Sequence, residues 1–256
     1  MSALYECVGI QKRFGDFVAS DGIDLTIHDG EMIGIIGANG AGKTTLINII
    51  SGYLRPSAGK LLLRGADITC EPPRALARKG IARSFQIPQL FARSTALENM
   101  MLALTLLAEP RSTFLQRFDD HHLAQRARGI LASYGIERHV DAPVSQVPQG
   151  IRKLLDIAMA TCAHPALVLL DEPTSGVASD EKHDLMQRLA ARFAAPGTAT
   201  TVVFIEHDME IVRRYASRVI ALYAGRVISD GSPEDAFNDA TVRRLIIGHA
   251  APAARH

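Results

Sequence analysis

A glycine-rich segment, Gly37–Thr44, places the strongest constraint on the fold of this chain. Its sequence, Gly-Ala-Asn-Gly-Ala-Gly-Lys-Thr, fits the spacing G-x-x-x-x-G-K-[ST] at every position. The apolar run Met32–Ile36 precedes it, and Thr44–Ile50 has the composition of an apolar helix. Glycines let successive backbone N–H groups curl around an anion, so this strand, loop and helix together predict a phosphate-binding site.

The fixed positions of this segment have chemical roles that suit a nucleoside triphosphate. The N-terminus of the following helix offers free N–H groups and a positive dipole end to phosphate. We expect Lys43 to contact the β- and γ-phosphates and Thr44 to offer its hydroxyl to Mg²⁺. The residues predicted to bind the nucleotide here are Gly37, Ala38, Asn39, Gly40, Ala41, Gly42, Lys43, Thr44 and Thr45.

Two acidic residues end a second apolar run. Ala166–Leu170 lacks polar alternation, which predicts a strand that is buried on both faces of a mostly parallel sheet. Asp171 and Glu172 follow at the strand end, where ligands bind in open α/β sheets. Asp171 is expected to reach Mg²⁺ directly or through water, and Glu172 to polarise a water for attack on the γ-phosphate.

The rest of the chain predicts an α/β fold. Strand signals occur early and again at Thr201–Ile205, whereas residues 92–134 have the apolar spacing and composition of helices. We predict a P-loop NTPase core with a mostly parallel sheet, an N-terminal antiparallel β part and an inserted helical subdomain. The predicted organisation is a single domain over residues 1–250, with the helical subdomain at about 92–160 and a frayed tail at 251–256.

The composition excludes several classes of function. The formal net charge is +1 and tryptophan is absent, so no nucleic-acid partner is expected. The three cysteines, Cys7, Cys70 and Cys162, lack metal-ligand spacing and suit a reducing compartment. No signal peptide is expected, and the most apolar segment, Met100–Ala108, is far shorter than the roughly 20 residues that span a bilayer. We therefore expect no direct membrane insertion, and any membrane association must come through a partner.

Together, Gly37–Thr45 and Leu169–Gly176 resemble the nucleotide-binding subunits of ABC transporters. The second segment has the sequence Leu-Leu-Asp-Glu-Pro-Thr-Ser-Gly, and the resemblance extends from about Tyr5 to Gly248. It implies an ABC ATPase fold, ATP as the bound nucleotide, Mg²⁺ as the cofactor and ATP hydrolysis by two cassettes that close head to tail.

Three further positions match this family. Ile81–Gln86 looks like the Q-loop, which implies that Gln86 senses Mg²⁺ and the attacking water, beside the metal-binding Thr44 and Asp171. Similarly, His207 matches the switch histidine that contacts the γ-phosphate, and so joins Glu172 as a catalytic residue. Phe14 occupies the place of the aromatic that stacks on adenine. By itself each residue has an ordinary alternative, as a surface glutamine, a structural histidine or a core phenylalanine.

Within this family, the sequence is most similar to the ATP-binding subunits of branched-chain amino-acid importers. The cues are Ile81–Gln86 with the following Leu90-Phe91, the residues Leu97-Glu98-Asn99, the helical insert and the stretch from Ile205 to Gly248. Importers of urea and amides and some lipid exporters share parts of these cues and remain alternatives. The implied partners are a second cassette subunit, identical or different, and transmembrane permease subunits, which place the chain at the cytoplasmic face of the cell membrane.

The chain departs from the family at its signature segment. Val147–Ile151 stands where the family has Leu-Ser-Gly-Gly-Gln, and only Gly150 matches a glycine of that pattern. Gly150 is still expected to help bind the nucleotide of the partner cassette, whereas Pro148 lacks both a hydroxyl and a backbone N–H. Ala178 likewise replaces the usual aspartate of the D-loop. These changes favour an asymmetric heterodimer, and the alternative is a segment that tolerates variation with both sites active.

Two other functions are weighed against a transport ATPase. Non-transport ABC ATPases of DNA repair or translation usually carry long coiled-coil inserts or two cassettes, and this chain has one cassette and no heptad run. A regulatory subunit with little hydrolysis is disfavoured by Glu172 and His207, although Pro148 keeps it open. We therefore predict a Mg²⁺-dependent ATP hydrolase that energises an ABC transporter.

Overall fold

The computed structural model describes residues 2–84, 89–107, 120–195 and 200–249. Within these ranges the strands are β1 (Ala3–Phe14), β2 (Phe17–His28), β3 (Met32–Gly37), β4 (Ala58–Leu63), β5 (Ala66–Asp67), β6 (Ile81–Ser84), β7 (Leu167–Asp171), β8 (Thr201–Ile205), β9 (Arg218–Tyr223) and β10 (Arg226–Gly231). The helices are α1 (Lys43–Ile50), α2 (Pro73–Arg78), α3 (Ala96–Leu107), α4 (Asp120–Ser133), α5 (Gln149–Thr161), α6 (Ser179–Phe193), α7 (Met209–Tyr215), α8 (Pro233–Asn238) and α9 (Ala240–Leu245).

The smaller of two sheets is antiparallel and has the strand order β2-β1-β4-β5. Its long first hairpin turns between Phe14 and Phe17, which are paired across the two strands. Tyr5, Cys7 and Ile10 of β1 are buried, so this strand presents one apolar side to the core. The predicted antiparallel β part at the N-terminus is confirmed.

The larger sheet has the strand order β10-β9-β3-β8-β7-β6. Neighbouring strands within this sheet run parallel, except for the edge pair β9 and β10, which is antiparallel. Because β8 lies between β3 and β7, the carboxyl ends of these three strands meet at one edge. Ile205 ends β8 and is paired with Ile35 of β3 on one side and with Asp171 of β7 on the other. This arrangement brings the phosphate loop and the two acidic residues to the same edge of the sheet.

Both faces of this sheet are covered. Alternate residues of its central strands enter two separate apolar cores, as Leu167 and Leu169 pack with one core and Val168 and Leu170 with the other. The first core includes α1 and the antiparallel sheet, and the second includes residues of α3 to α7. All five residues of β7 are buried, which confirms the prediction from the uninterrupted apolar run.

The helices α3, α4 and α5 lie between β6 and β7 in the chain. They fall in the region predicted to be helical. Whether residues 92–160 form a distinct subdomain stays a prediction, and the tail at 251–256 lies outside the described residues. Among the described residues, none of the helices combines the length and the hydropathy of a membrane-spanning segment.

Candidate functional site

The glycine-rich loop connects the end of β3 to the start of α1. Gly42 is the residue before the helix and has a left-handed backbone, with φ of 100°. A Cβ at Gly42 would stand 2.5 Å from the carbonyl oxygen of Ala19, and one at Gly37 would stand 2.5 Å from that of Leu222. These close backbone approaches explain why glycine is needed at both ends of the loop.

Lys43 is the first residue of α1 and folds back over the loop. Its Nζ donates hydrogen bonds to the carbonyl oxygens of Gly37 at 2.8 Å and Ala38 at 3.0 Å. Burial lowers the pKa of Lys43, and the nearby carboxylates of Glu172 and Asp171 oppose this shift. The ammonium group is therefore held inside the loop and close to both acidic residues.

Glu172 and His207 come together across the ends of β7 and β8. Oε1 of Glu172 lies 2.9 Å from Nε2 of His207. The backbone of Glu172 is in the left-handed region, with φ of 50°, and its N–H donates to the carbonyl oxygen of Ile205 at 3.1 Å. A non-glycine residue in this conformation is strained by about 1–3 kcal/mol and is typical of functional sites. This backbone conformation places the carboxylate of Glu172 in the cleft beside the phosphate loop, where it contacts His207.

Asp171 ends β7 and is buried beside an arginine. Nη2 of Arg83 donates to Oδ2 of Asp171 at 3.1 Å, and the side chains are 7% and 9% exposed. This arginine lies on β6 and is not among the site residues predicted from the sequence. Arg83 lies within the segment Ile81–Gln86 that resembles the Q-loop, but that resemblance gives a role only to Gln86. A charged residue in a short strand next to Ile81 and Ala82 is a further available signal.

Two more buried charged residues support the acidic turn. Nζ of Lys153, on α5, lies 3.4 Å from the carbonyl oxygen of Glu172. Oε1 of Glu206 accepts hydrogen bonds from the backbone N–H and the hydroxyl of Thr174, at 2.8 and 2.7 Å. Burial raises the pKa of Glu206, and these hydrogen bonds from Thr174 oppose the rise. Glu206 thus ties the residues that follow Glu172 to the segment that carries His207.

An open cleft of about 220 Å³ joins most of the predicted residues. Its lining is formed by Phe17, Ala19, Asn39, Gly40, Ala41, Gly42, Lys43, Thr44, Thr45, Glu172 and His207. Phe14 is exposed on the hairpin and is not among these lining residues, whereas its cross-strand neighbour Phe17 is. An exposed aromatic near the cleft is the kind of residue predicted for adenine, and Phe17 is a second candidate for that role.

Three further predicted residues adjoin the cleft without lining it: Gly37 and Ala38 accept hydrogen bonds from Lys43, and Asp171 ends β7. Gly150 is buried near the start of α5, where a Cβ would meet Glu181 and Val177 at 3.5 and 3.6 Å. It does not line the cleft, and its contact with the nucleotide of a partner cassette stays a prediction. Pro148 precedes α5 and leaves this helix without a side-chain cap. Gln86 lies outside the described residues.

The residues present suit ATP and Mg²⁺ chemically. A Cβ at Gly37 or Gly42 would clash with a neighbouring carbonyl oxygen, so both ends of the loop need glycine, and Lys43 supplies the positive charge that phosphate needs. Mg²⁺ is usually held by one or two protein oxygens together with substrate phosphates and water. The exposed Thr44 and the carboxylate of Asp171 offer such oxygens, so the donor set suits this ion.

Three comparisons place this chain among known proteins. The ABC transporter family model matches residues 20–175. The high-affinity branched-chain amino acid transport ATP-binding protein LivG of Escherichia coli is 31% identical over 248 residues, covering 94% of this chain and 96% of LivG. A solved ATP-binding cassette of an ABC transporter in its ADP conformation has a TM-score of 0.84 and 30% identity, covering 97% of this chain and all of that one. A dimeric ATP-binding cassette in a post-hydrolysis state, bound to ADP and Pi, has a TM-score of 0.74 and 26% identity, covering 90% and 98%.

Proposed function

The chain belongs to the ABC transporter family, in which it is an ATP-binding and ATP-hydrolysing subunit, and we propose that it energises an importer of branched-chain amino acids. The near-full-length similarity to a protein named for that transport carries the proposal of substrate class. The cleft that unites the phosphate loop with Glu172 and His207 supports the catalytic part of the proposal.

In the proposed reaction, the loop Gly37–Thr45 binds the triphosphate through its backbone N–H groups and the N-terminus of α1. Lys43 exchanges its hydrogen bonds with the loop carbonyls for contacts to the β- and γ-phosphates. Glu172 orients the attacking water and accepts its proton, while His207 holds this carboxylate and contacts the γ-phosphate. Phe14, with Phe17 as the second candidate, packs against adenine.

Thr44 and Asp171 would hold Mg²⁺, with Gln86 as a further ligand, and the ion would neutralise charge on the phosphates. The chain's own part in this is to keep an oxygen-rich, partly buried position next to Lys43. Asp171 is suited to it because the carboxylate is held by Arg83 in a fixed place at the end of β7.

We propose that the chain works in a head-to-tail dimer with a second cassette subunit. Gly150 and the N-terminus of α5 would then face the partner's ATP. Pro148 offers neither a hydroxyl nor an N–H there, so the partner's nucleotide would be held less well than this chain's own. This inequality favours a heterodimer. It also gives the regulatory alternative its only support, because a subunit with a weak signature contributes less to hydrolysis.

The proposed partners also include transmembrane permease subunits, and the chain would bind them at the cytoplasmic face of the cell membrane without entering the bilayer. With a formal net charge of +1, we propose no nucleic-acid partner. Closure of the dimer on ATP and its reopening after hydrolysis would move the permeases.

Transport by a reconstituted complex tests the proposal. The chain is combined in vesicles with a partner cassette and permease subunits, and an amino-acid-binding protein is added. ATP-dependent uptake of labelled leucine that is lost with Glu172→Gln is the expected result. Uptake of urea, an amide or a lipid but not of leucine would overturn the substrate class. Hydrolysis that is unaffected by Glu172→Gln would overturn the assignment of the base.

A further inference from the structure

Arg83 connects three elements around the nucleotide cleft. It lies on β6, and its guanidinium donates to Oδ2 of Asp171 at 3.1 Å. The same group donates to Oδ1 of Asn48 at 2.6 Å and to Oγ of Ser51 at 3.1 Å. Asn48 belongs to α1, the helix that the phosphate loop opens, and Ser51 ends it. Arg83 is thus in contact with both the acidic strand end and the helix that carries Lys43 and Thr44.

Burial of the charged Arg83 side chain would be energetically unfavourable without its hydrogen-bond partners. The side chain is only 7% exposed, and a buried charge is tolerated only when it is paired and hydrogen-bonded. The ring of Tyr53 also lies below the guanidinium, at 5.5 Å from its carbon. An arginine fork can hold several acceptors at fixed angles, which a lysine ammonium cannot do. These contacts therefore fix the distance between α1 and Asp171.

We propose that Arg83 is a positioning residue that sets the affinity of the nucleotide site for Mg²⁺ by holding Asp171 in place relative to Thr44. The inference rests on the proposed role of Asp171 as a ligand of this ion. Arg83 donates its hydrogen bond to Oδ2 of Asp171, and the carboxylate has a second oxygen that can bind the metal. Residues that orient a ligand of a metal typically change its affinity 10- to 100-fold when they are replaced.

A purely structural ion pair would behave differently. Its loss would lower thermal stability and weaken nucleotide binding in the same proportion with and without Mg²⁺. A positioning role predicts that nucleotide binding in the presence of EDTA is nearly unchanged, while the gain in affinity on adding Mg²⁺ is reduced. The comparison of these two binding measurements therefore separates the two roles without any measurement of turnover.

The experiment uses the full chain and a fluorescent ATP analogue, titrated with EDTA and then over a range of Mg²⁺ concentrations. The variants are Arg83→Met, Arg83→Lys and Asn48→Ala, the last of which cuts one tether to α1 without touching Asp171. Arg218→Lys is the matched control, because this arginine also pairs with two carboxylates, Glu31 and Asp230. Arg218 is paired with Ile33 near the start of β3, so it lies at the end of this strand opposite to the phosphate loop.

We expect Arg83→Met to raise the Mg²⁺ concentration for half-maximal binding about tenfold or more, and Arg83→Lys and Asn48→Ala to raise it by less. Arg218→Lys should leave it unchanged. If Arg83→Met fails to fold, the other two variants still decide the question. Asp171→Asn distinguishes an error in the proposed Mg²⁺ ligand from an error in the role of Arg83. If Asp171→Asn keeps the full Mg²⁺ effect, the proposed ligand is wrong. If it loses the effect while the variants of Arg83 and Asn48 keep it, only the role of Arg83 is wrong.

Discussion

Nε2 of His207 lies 2.9 Å from Oε1 of Glu172, and this contact joins the ends of two neighbouring parallel strands. The two residues are 35 positions apart in the chain, so only the pairing of β7 with β8 brings them together. Glu172 reaches His207 from a strained backbone, and its N–H is anchored on the carbonyl oxygen of Ile205. The carboxylate and the imidazole are therefore in contact where both line the cleft.

Replacement of Glu172 by glutamine should abolish hydrolysis and spare binding. The amide keeps the shape of the side chain and can still contact His207, but it cannot accept a proton from water. General-base catalysis contributes about 10²- to 10⁴-fold, so we expect a loss of that size in the single-turnover rate. Binding of a fluorescent ATP analogue should stay close to that of the unaltered chain. A turnover that falls only severalfold would contradict the role of Glu172.

Two glycines of the loop offer a matched test of its packing. Gly40 and Gly42 both have positive φ, so alanine at either position is strained by about 1–2 kcal/mol. A Cβ at Gly40 meets no described atom within 4 Å, whereas one at Gly42 would stand 2.5 Å from the carbonyl oxygen of Ala19. Gly42→Ala should therefore destabilise the nucleotide-free protein clearly more than Gly40→Ala, as measured by thermal unfolding. Equal losses would mean that the loop moves freely away from Ala19.

The central strands of the fold are predictable because their residues are buried on both faces. A short apolar run such as Leu167–Leu170, rich in residues that favour burial and too short for a typical helix, favours a strand that is covered on both faces. By contrast, β1 is not among the predicted strands. Its alternation is broken by polar residues and by Gly9, where the register with β2 shifts. The hairpin of β9 and β10 is also missed, because it turns at Ala224-Gly225 rather than at a common Asn-Gly or Asp-Gly pair.

The same contrast holds for the site. The phosphate loop and Asp171-Glu172 are predictable because each is a contiguous pattern with one dominant chemical use. Arg83, Lys153 and Glu206 are single residues, and their partners are brought close only by the tertiary fold. Lys153 has a weak signal, since it lies on the buried side of α5 among apolar residues, where a charge must have a partner. Such a signal indicates that a contact exists but not which residue supplies it.

The buried carboxyl of Glu206 predicts a dependence of stability on pH. Its pKa is raised in the folded protein by burial, so the folded chain holds this proton more tightly than the unfolded chain. The contribution of Glu206 to stability is then greatest below the ordinary glutamate pKa and is lost as the pH rises through the raised value. Glu206→Gln does not titrate, and its amide oxygen can still accept the hydrogen bonds from Thr174.

We therefore expect the stability of Glu206→Gln relative to the unaltered chain, measured as the difference in the free energy required for unfolding, to increase as the pH rises toward neutrality. Urea unfolding at a series of pH values measures this difference. Glu210→Gln, at an exposed position on α7, serves as the control for the same chemical change at the surface. A difference for Glu206→Gln that stays constant over the pH series would contradict the prediction.

A substitution in the signature segment Val147–Ile151 tests whether the two nucleotide sites of the proposed dimer differ in strength. Pro148 is the N-cap residue of α5, with φ of −53° and ψ of 152°, and it makes no side-chain cap. Serine is compatible with this backbone and caps such a helix with about 1 kcal/mol of stabilisation. It also adds a hydroxyl where the family presents one to the partner's phosphate. Pro148→Ser should therefore raise thermal stability and strengthen the nucleotide site that this chain completes for its partner.

In the assembled transporter, Lys43→Ala in this chain should reduce ATP turnover more than the same change in the partner cassette, because the partner's site already depends on the weak signature. Pro148→Ser should narrow that difference. Pro143→Ser is the control, since Pro143 has a similar backbone, with φ of −56° and ψ of 135°, before a short 3₁₀ turn outside the signature. Equal losses from the two lysine changes would show that the sites are equivalent. In that case other hydrogen-bond donors replace the missing serine, and the proposal of an asymmetric dimer is wrong.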